Sequence, residues 1–498
     1  MRRVTLTDAM ADPNLFAPWF RDPASWSAWR AFLSALFALP MPDEQLAIYN
    51  RCTGRAEPPT APAAEGWLVC GRRAGKSFIL ALIAVFLATF YDYRRYLAPG
   101  ERGSVIVIAT NTRQARVIFR YVRALLTGVP MLRRMIERET ADTFDLTDGV
   151  TIEVGTTSFK TVRGYTIVAA LCDELAFWPT DDSAEPDYEV LNALRPGMVT
   201  IPNAMLLCAS SPYARRGALW DAHRRHFGKD DDPILVWHAD TRTMNPTVPQ
   251  RVIDEATERD PAWAAAEYGA QFRSDVQSLL SREAVEACVA LGVRERAPLS
   301  GLRYSGFVDP SGGSADSMTL AVGHRENTVV VVDAVREVKP PFSPEDVVDE
   351  FATLLKRYRI VKVTGDRYAG EWPREQFRKL GISYEPAAKP KSDLYRDLLP
   401  SINSRRVDLL DHPRLVNQLV SLERRTARGG RDSIDHAPGA HDDIANAVAG
   451  CVAGLNASSG YESLDWVGGP DDPAPAMMPM GGNGWGHPLL RHSLLWWR

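Results

Sequence analysis

The chain has 498 residues, a formal net charge of −4, 45% hydrophobic residues and 24% charged residues. That balance excludes a disordered or fibrous polymer and makes two packed domains with tails the expectation. It also excludes a generally basic surface, so any polyanion must be held by local patches and can be held transiently.

Residues 1–60 carry helical patterns rich in Trp and Phe and end at the break "GRAEPPTAPAAEG". The opening "MRRVTLTDAMADPNLF" lacks an apolar core of signal-peptide type, and the apolar run from Phe78 to Phe90 is too short for a bilayer. The six cysteines (Cys52, Cys70, Cys172, Cys208, Cys288, Cys451) form no CxxC or Cys/His cluster. Neither structural zinc nor a disulfide framework is expected, and the reading is of a soluble intracellular protein.

From Trp67 short apolar runs alternate with helical segments: "GWLVC", "SVIVIAT", "TIVAALCDE", "AMLLCASS" and "ILVWHAD". Runs apolar at every position suit strands buried on both faces of a parallel sheet. A helical stretch, "VPQRVIDEATERDPAWAAAEYGAQF", closes this region near residue 280. Then "YSGFVDP", "SMTLAVGH" and "TVVVVDAVREV" follow so closely that antiparallel hairpins are expected. The predicted organisation is an N-terminal helical segment (1–60), a parallel-sheet P-loop domain of the ASCE ATPase type with a helical linker (61–280), an RNase H-like domain (281–455) and a flexible tail (456–498).

Two sets of residues carry chemistry. "WLVCGRRAGKS" reads as a P-loop between strand and helix, although Cys70 stands where the pattern G-x-x-x-x-G-K-[ST] has its first glycine. Gly71, Arg72, Arg73 and Gly75 form the loop, Lys76 is placed for the β- and γ-phosphates of ATP, and Ser77 for Mg²⁺. Arg72 is the better placed of the two arginines to stabilise transition-state charge, although a solvated loop pair is their ordinary reading. "LCDE" sets Asp173 and Glu174 at the carboxyl end of a core strand, Asp173 for Mg²⁺ and Glu174 for the attacking water. An acidic helix cap is the competing reading.

In the second half, Asp309 ends "YSGFVD", Asp366 ends "IVKVTGD", and Asp442 and Asp443 open the helix "HDDIANAVAG". Carboxylates converging from separate elements can hold two Mg²⁺ or Mn²⁺ ions about 4 Å apart for phosphodiester hydrolysis. Asp443 is favoured over Asp442, which assists. Asp316 reads as a loop residue near the site and Asp333 as strand or turn. His436 and His441 read as phosphate contacts without ligand spacing.

Together the GRRxGKS loop, the DE strand, the "SSP" turn and the late "HDD" helix resemble the large terminase subunit of tailed bacteriophages, over roughly residues 40–455. Members of that family commonly lack the first P-loop glycine. The resemblance implies an ATP-driven motor that packages double-stranded DNA into a procapsid, with a nuclease that cuts the concatemer. It implies coupling by Ser210, Ser211 and Pro212 in "CASSPYARRG", an arginine offered to a neighbouring subunit by Arg163, and adenine reading by Gln45 in "MPDEQLAIYNRCTGR". Lys391 in "KPKSDLY" falls in a stretch often basic in the family. Implied partners are the portal protein, the small terminase subunit and further copies in a ring. Action is implied in the host bacterial cytoplasm and transiently on the procapsid, not in the mature virion. The basic stretches "YARRGALWDAHRRHFGK" and "MLRRMIER" are candidate DNA surfaces, and Trp496 and Trp497 a candidate portal anchor. Two rivals stand beside this reading: a helicase or repair translocase with an attached nuclease, and a non-enzymatic DNA-binding assembly protein.

Overall fold

The computed structural model describes residues 4–156, 164–178, 186–314, 316–366, 371–426, 432–437 and 440–458. Arg163, Trp496 and Trp497 lie outside the described residues.

Eight strands form the first sheet: β1 (Glu65–Cys70), β2 (Gly103–Ala109), β3 (Ile136–Glu139), β4 (Thr143–Leu146), β5 (Val150–Thr156), β6 (Thr166–Asp173), β7 (Met205–Ser210) and β8 (Ile234–Ala239). Their order is β3-β4-β5-β2-β6-β7-β1-β8, parallel from β5 to β8, with β3 and β4 added antiparallel at one edge. β1 lies between β7 and β8, and β6 lies between β2 and β7. The carboxyl ends of β1, β6 and β7 are therefore neighbours, which is where a parallel sheet binds ligands. Each of the five apolar runs read from the sequence is one of these strands.

The helix Lys76–Phe90 is apolar on nearly every face because it is covered on nearly every face. The sheet lies on one side; on the other, Trp29 and Phe32 of the helix Ser27–Leu36 join the same core, both fully buried. Burying such side chains contributes roughly 1.5–3 kcal/mol each. The N-terminal helices thus pack as part of the P-loop unit. The opposite sheet face is covered by the helices Pro186–Met198 and Gly217–His226.

β9 (Val276–Ser278) leads into the second half. There β10 (Val289–Ala290), β11 (Tyr304–Asp309), β12 (Met318–Glu326), β13 (Val329–Val338), β14 (Lys362–Gly365), β15 (Ser383–Pro386) and β16 (Val407–Leu410) form a sheet of order β10-β16-β13-β12-β11-β14-β15. β11, β12 and β13 are the expected antiparallel meander, whereas β14 and β15 run parallel to β11. An antiparallel meander extended by parallel strands beside its first member is the RNase H-like arrangement. The helix Pro344–Arg357 covers one face; the helices Lys391–Asn403 and Asp443–Ser458 cover the other. Gly450 lets the last helix sit directly on β11, since a Cβ there would lie 2.2 Å from the Phe307 ring.

β17 (Leu422–Thr426) and β18 (Asp432–His436) form a third, small sheet with β9, which follows directly from the first half of the chain. Among the described residues no helix is long and apolar enough to cross a membrane.

Candidate functional sites

The P-loop leaves β1 at Gly71, runs through Arg73 and Gly75, both at positive φ (65° and 102°), and enters the helix at Lys76. Its shape is held from outside. Trp29 donates its indole N–H to the Ala74 carbonyl at 2.9 Å, Thr241 Oγ1 donates to the Arg72 carbonyl at 2.8 Å, and Asn245 Nδ2 donates to the Arg73 carbonyl at 2.9 Å. Gly71 is needed because a Cβ there would sit 2.3 Å from Thr241 Oγ1 and 2.6 Å from the Tyr268 carbonyl. The glycine displaced by one position from the usual pattern is set by protein packing.

Lys76 is buried and its ammonium is a hub. Nζ lies 3.1 Å from the Cys70 carbonyl, 3.3 Å from that of Gly71, 3.0 Å from Ser211 Oγ and 3.2 Å from Glu174 Oε1. Glu174 Oε2 accepts from the Ser211 N–H at 3.1 Å and from Ser210 Oγ at 3.3 Å. The Glu174 backbone sits in the left-handed region, φ 52°, which a side-chain-bearing residue adopts only when its surroundings enforce it. Here the Glu174 N–H donates to the Ala209 carbonyl at 2.7 Å, so register with β7 enforces it.

Asp173 is fully buried; burial first, and the neighbouring Glu174 second, push its pKa up to about 6. Ser77 Oγ donates to its Oδ2 at 2.9 Å, while Oδ1 is buried without a hydrogen-bond partner among the described residues. A buried carboxylate with an orphaned oxygen beside a hydroxyl is a donor set that fits a hydrated Mg²⁺.

Arg72 turns outward to pair with Glu267 at 3.0 Å, and the Arg73 side chain is exposed. Gln45, on the helix Asp43–Thr53, accepts from Ser34 Oγ at 3.3 Å. Pro212 continues the turn into Tyr213 and Arg216, and both of these reach across to Glu423 of β17. Tyr213 OH donates at 2.5 Å, and the Arg216 guanidinium closes an ion pair. Glu423 has no exposed surface. The turn that holds Lys76 and Glu174 is therefore bonded to the second half of the chain within a few residues.

The second site is a cleft of about 1170 Å³ lined by all four predicted acids with Lys391 and Asn446. The register explains the convergence. Val308 pairs with Gly365, so Asp309 and Asp366 leave adjacent parallel strands side by side. Asp309 pairs with Thr319, whose hydroxyl donates to the Asp443 carbonyl at 2.7 Å. Asn446, one turn beyond Asp443, donates through Nδ2 to Asp309 Oδ2 at 2.8 Å and reaches Asp366 Oδ2 at 3.4 Å. Gln418 Oε1 accepts the N–H groups of Ile444 and Ala445 at 2.9 and 3.0 Å, which fixes the start of the helix.

Asp309 is open to the cleft on one side and enclosed on the others. That enclosure, with the charges of Asp443, Asp366 and Asp442 added, raises its pKa to about 8 despite the Asn446 bond. Burial and then Asp442 raise Asp443 to about 6. Acids gathered this closely each disfavour the others' ionisation, and a divalent cation reverses that. Asp443 Oδ2 and Asn446 Oδ1 are buried without hydrogen-bond partners among the described residues, although His441 Nδ1 lies 4.0 Å from Asp443 Oδ2, and both oxygens fit a metal.

Asp442 differs. Its oxygens are taken by Lys391 Nζ (3.0 and 2.9 Å) and by Tyr395 OH (2.7 Å), and Lys391 also pairs with Asp435 at 3.2 Å. Asp435, His436 and Asp442 bring ligand-type atoms within 4.8 Å of one another, yet the Lys391 ammonium already lies against both acids. Asp316 is exposed, with His441 Nδ1 3.9 Å away; Asp333 is a buried strand residue bonded to His324 at 2.6 Å.

Sequence reasoning missed Trp29, Gln114, Thr241, Tyr395, Gln418, Glu423 and Asn446. For Asn446 a signal exists, its i+3 spacing from Asp443 on one helical face. The others are brought in by tertiary contact alone.

Residues 68–185, which contain the P-loop and the acid pair, match the family model for the N-terminal part of the T4likevirus-type terminase large subunit. No curated protein matches the chain. Among solved structures it is similar to the large terminase of bacteriophage HK97, at 16% identity over 86% of this chain and 99% of that one, with a TM-score of 0.36. Likeness to the large terminase of a thermophilic bacteriophage is 13% identity over 87% and 99%, TM-score 0.37. Likeness to the large terminase nuclease of another thermophilic phage, G20c, is 17% identity over 35% and 97%, TM-score 0.32. The family match covers about a quarter of the chain and spans the glycine loop and both acids of the first site.

Proposed function

We propose that the chain is an ATP-driven motor that moves double-stranded DNA into a procapsid and a metal-dependent endonuclease that cuts that DNA. The observation that carries this reading is the joint between the halves. Ser211 bonds Lys76 and Glu174, and the same turn continues into Tyr213 and Arg216, which bond the buried Glu423. Two unrelated activities tethered by a linker would not need it.

In the proposed cycle Lys76 exchanges Glu174 and Ser211 for the phosphates of ATP, and Ser77 and Asp173 hold Mg²⁺. Glu174, released from Lys76, orients and deprotonates water at the γ-phosphate. Mg²⁺ supplies neutralisation of phosphate charge when bound. Ser210, Ser211 and Pro212 respond to the release of Glu174 and pass the displacement to Tyr213 and Arg216. Arg72 would have to leave Glu267 to reach the nucleotide; Gly71, Arg73 and Gly75 shape the loop, and Gln45 remains the adenine contact proposed from sequence. Arg163 is proposed for a neighbouring subunit's ATP.

At the second site Asp309, Asp366 and Asp443 would hold Mg²⁺ or Mn²⁺, which when bound would supply Lewis-acid activation of water and neutralisation of charge on the leaving oxygen. Asp442 acts through Lys391, whose ammonium is placed at the cleft for a phosphate of the DNA backbone. The thermophilic-bacteriophage large terminase compared above has been solved with ADP and with ATP-gamma-S, and the G20c nuclease with magnesium and with cobalt. The portal, the small subunit and further copies in a ring are the proposed partners, in the host cell.

The test uses purified protein. Wild type is expected to hydrolyse ATP faster with DNA present and to cleave plasmid with Mg²⁺ or Mn²⁺. Glu174→Gln is expected to abolish only the first activity, and Asp309→Ala only the second. Wild type that does neither, or strand separation by the wild type, overturns the reading.

A further inference from the structure

We infer that Gln114 is a positioning residue of the ATPase metal site, orienting the Ser77 hydroxyl and the Asp173 carboxylate toward one cation; this rests on the ATP-hydrolysing reading above.

Gln114 lies in the first turn of the helix Thr112–Gly128, which follows β2. Asn111 caps that helix, its side-chain oxygen accepting the Gln114 N–H at 3.0 Å. The residue is thereby fixed before its side chain is considered. From there Nε2 reaches Ser77 Oγ at 3.0 Å and Asp173 Oδ2 at 2.9 Å, while Ser77 Oγ and Asp173 Oδ2 are themselves 2.9 Å apart. Three polar groups from three separate elements meet in one triangle.

The donors and acceptors in that triangle constrain one another. An amide nitrogen carries two hydrogens and a hydroxyl one. Ionised, Asp173 Oδ2 can only accept, so Ser77 gives it the hydroxyl proton and Gln114 donates to it through the amide. The same amide group also donates to Ser77 Oγ. That leaves Oγ a single free lone pair, directed away from both neighbours, and a single lone pair is what a hydroxyl offers a cation. Rotating the amide would set its carbonyl oxygen against the carboxylate, so the acid itself fixes the orientation. Asp173 Oδ1 keeps its acceptor capacity, since nothing among the described residues bonds it.

The residue type matters as much as the geometry. Arginine or lysine at this position would neutralise Asp173 and compete with a divalent ion for it. Glutamine supplies two donors and no charge, so the carboxylate is held in place with its charge left for the cation.

The experiment measures binding of a fluorescent ADP analogue to the full chain, in EDTA and across a Mg²⁺ titration, for wild type, Gln114→Met and Gln114→Ala. Methionine keeps the length and removes both donors; alanine is well tolerated in a first helical turn, so one of the two is expected to fold. The expected result is an affinity in EDTA within about twofold of wild type and a Mg²⁺-dependent tightening about tenfold smaller. In ATP hydrolysis, the half-saturating Mg²⁺ concentration is expected to rise about tenfold, with kcat at saturating Mg²⁺ falling less than about threefold. A purely structural bond would lower Tm and leave the Mg²⁺ dependence unchanged; that outcome, with normal wild-type binding, overturns the inference alone. Wild type that binds the nucleotide no better with Mg²⁺ overturns the ATPase reading and this inference with it.

Discussion

Protons and divalent cations compete for the second site, and the competition has a calculable slope. Asp309 is raised to about 8 and Asp443 to about 6, both by burial first and neighbouring acids second. A carboxyl raised above its unfolded value holds its proton longer when folded, so it costs stability as pH rises from about 4 toward its folded value, and the cost is constant above that. A cation at the site removes the cost by pairing with the ionised forms. At pH 6 it must displace a proton held about two decades too tightly at Asp309 and a half-bound one at Asp443; at pH 8 only a half-bound proton at Asp309 remains. Affinity for Mn²⁺ or Mg²⁺ in the absence of nucleotide should therefore be about a hundredfold higher at pH 8 than at pH 6. Calorimetric titration of the full chain at pH 6, 7 and 8 measures it. Asp309→Asn should abolish most of the slope, leaving a shallow dependence below pH 7 from Asp443 and Asp173. A flat affinity from pH 6 to 8 in wild type, or an unchanged slope in Asp309→Asn, would show that the enclosure of these acids does not govern the site.

Other consequences concern the supports. Gly71→Ala puts a methyl group 2.3 Å from Thr241 Oγ1 and 2.6 Å from a carbonyl, and is expected to cost about 2 kcal/mol in urea denaturation. Adding Thr241→Ala should recover only part of that loss, since the Tyr268 carbonyl stays. Lys391→Met strands the buried Asp442 without its cation; allowing for the partial exposure of Lys391, the loss should be about 2 kcal/mol. Asp442→Asn in the same chain should restore most of it, a coupling that a double-mutant cycle reads directly. Glu423→Gln weakens the joint with Tyr213 and Arg216 without touching either site. Basal ATP hydrolysis should stay within about twofold, while its stimulation by DNA falls at least about fivefold.

The parts of this molecule that announce themselves in sequence are those whose chemistry is local. Asp173 and Glu174 follow an apolar strand directly, Lys76 and Ser77 open a helix after a glycine loop, and Asp309 and Asp366 end strands. Each is legible because residue type and element boundary coincide within a few positions. The close spacing of the runs in the second half also separated an antiparallel meander from the parallel sheet of the first, although β12 and β13 are buried at nearly every position and carry no alternation. The edge strands β3 and β4 were not legible, being short and largely polar, nor was β9, three residues paired only with the distant β17.

What holds the chemistry in place was invisible for one shared reason: its residues are ordinary where they stand and special only where they arrive. Gln114 is a first-turn glutamine until β2 and β6 lie side by side and bring it to Ser77 and Asp173. Glu423 looks like any strand glutamate until the turn after β7 sends Tyr213 and Arg216 into it. The pair at 442 and 443 shows the principle most sharply. Adjacent aspartates are interchangeable in a string of letters, but Asp442 precedes the helix that Asp443 opens. One faces Lys391 and Tyr395, its charge already answered; the other faces the cleft with an oxygen that takes part in no hydrogen bond and has only His441 Nδ1 4.0 Å away. Sequence locates a pair of acids, and the fold divides their labour by deciding which carboxylate keeps an oxygen outside any hydrogen bond.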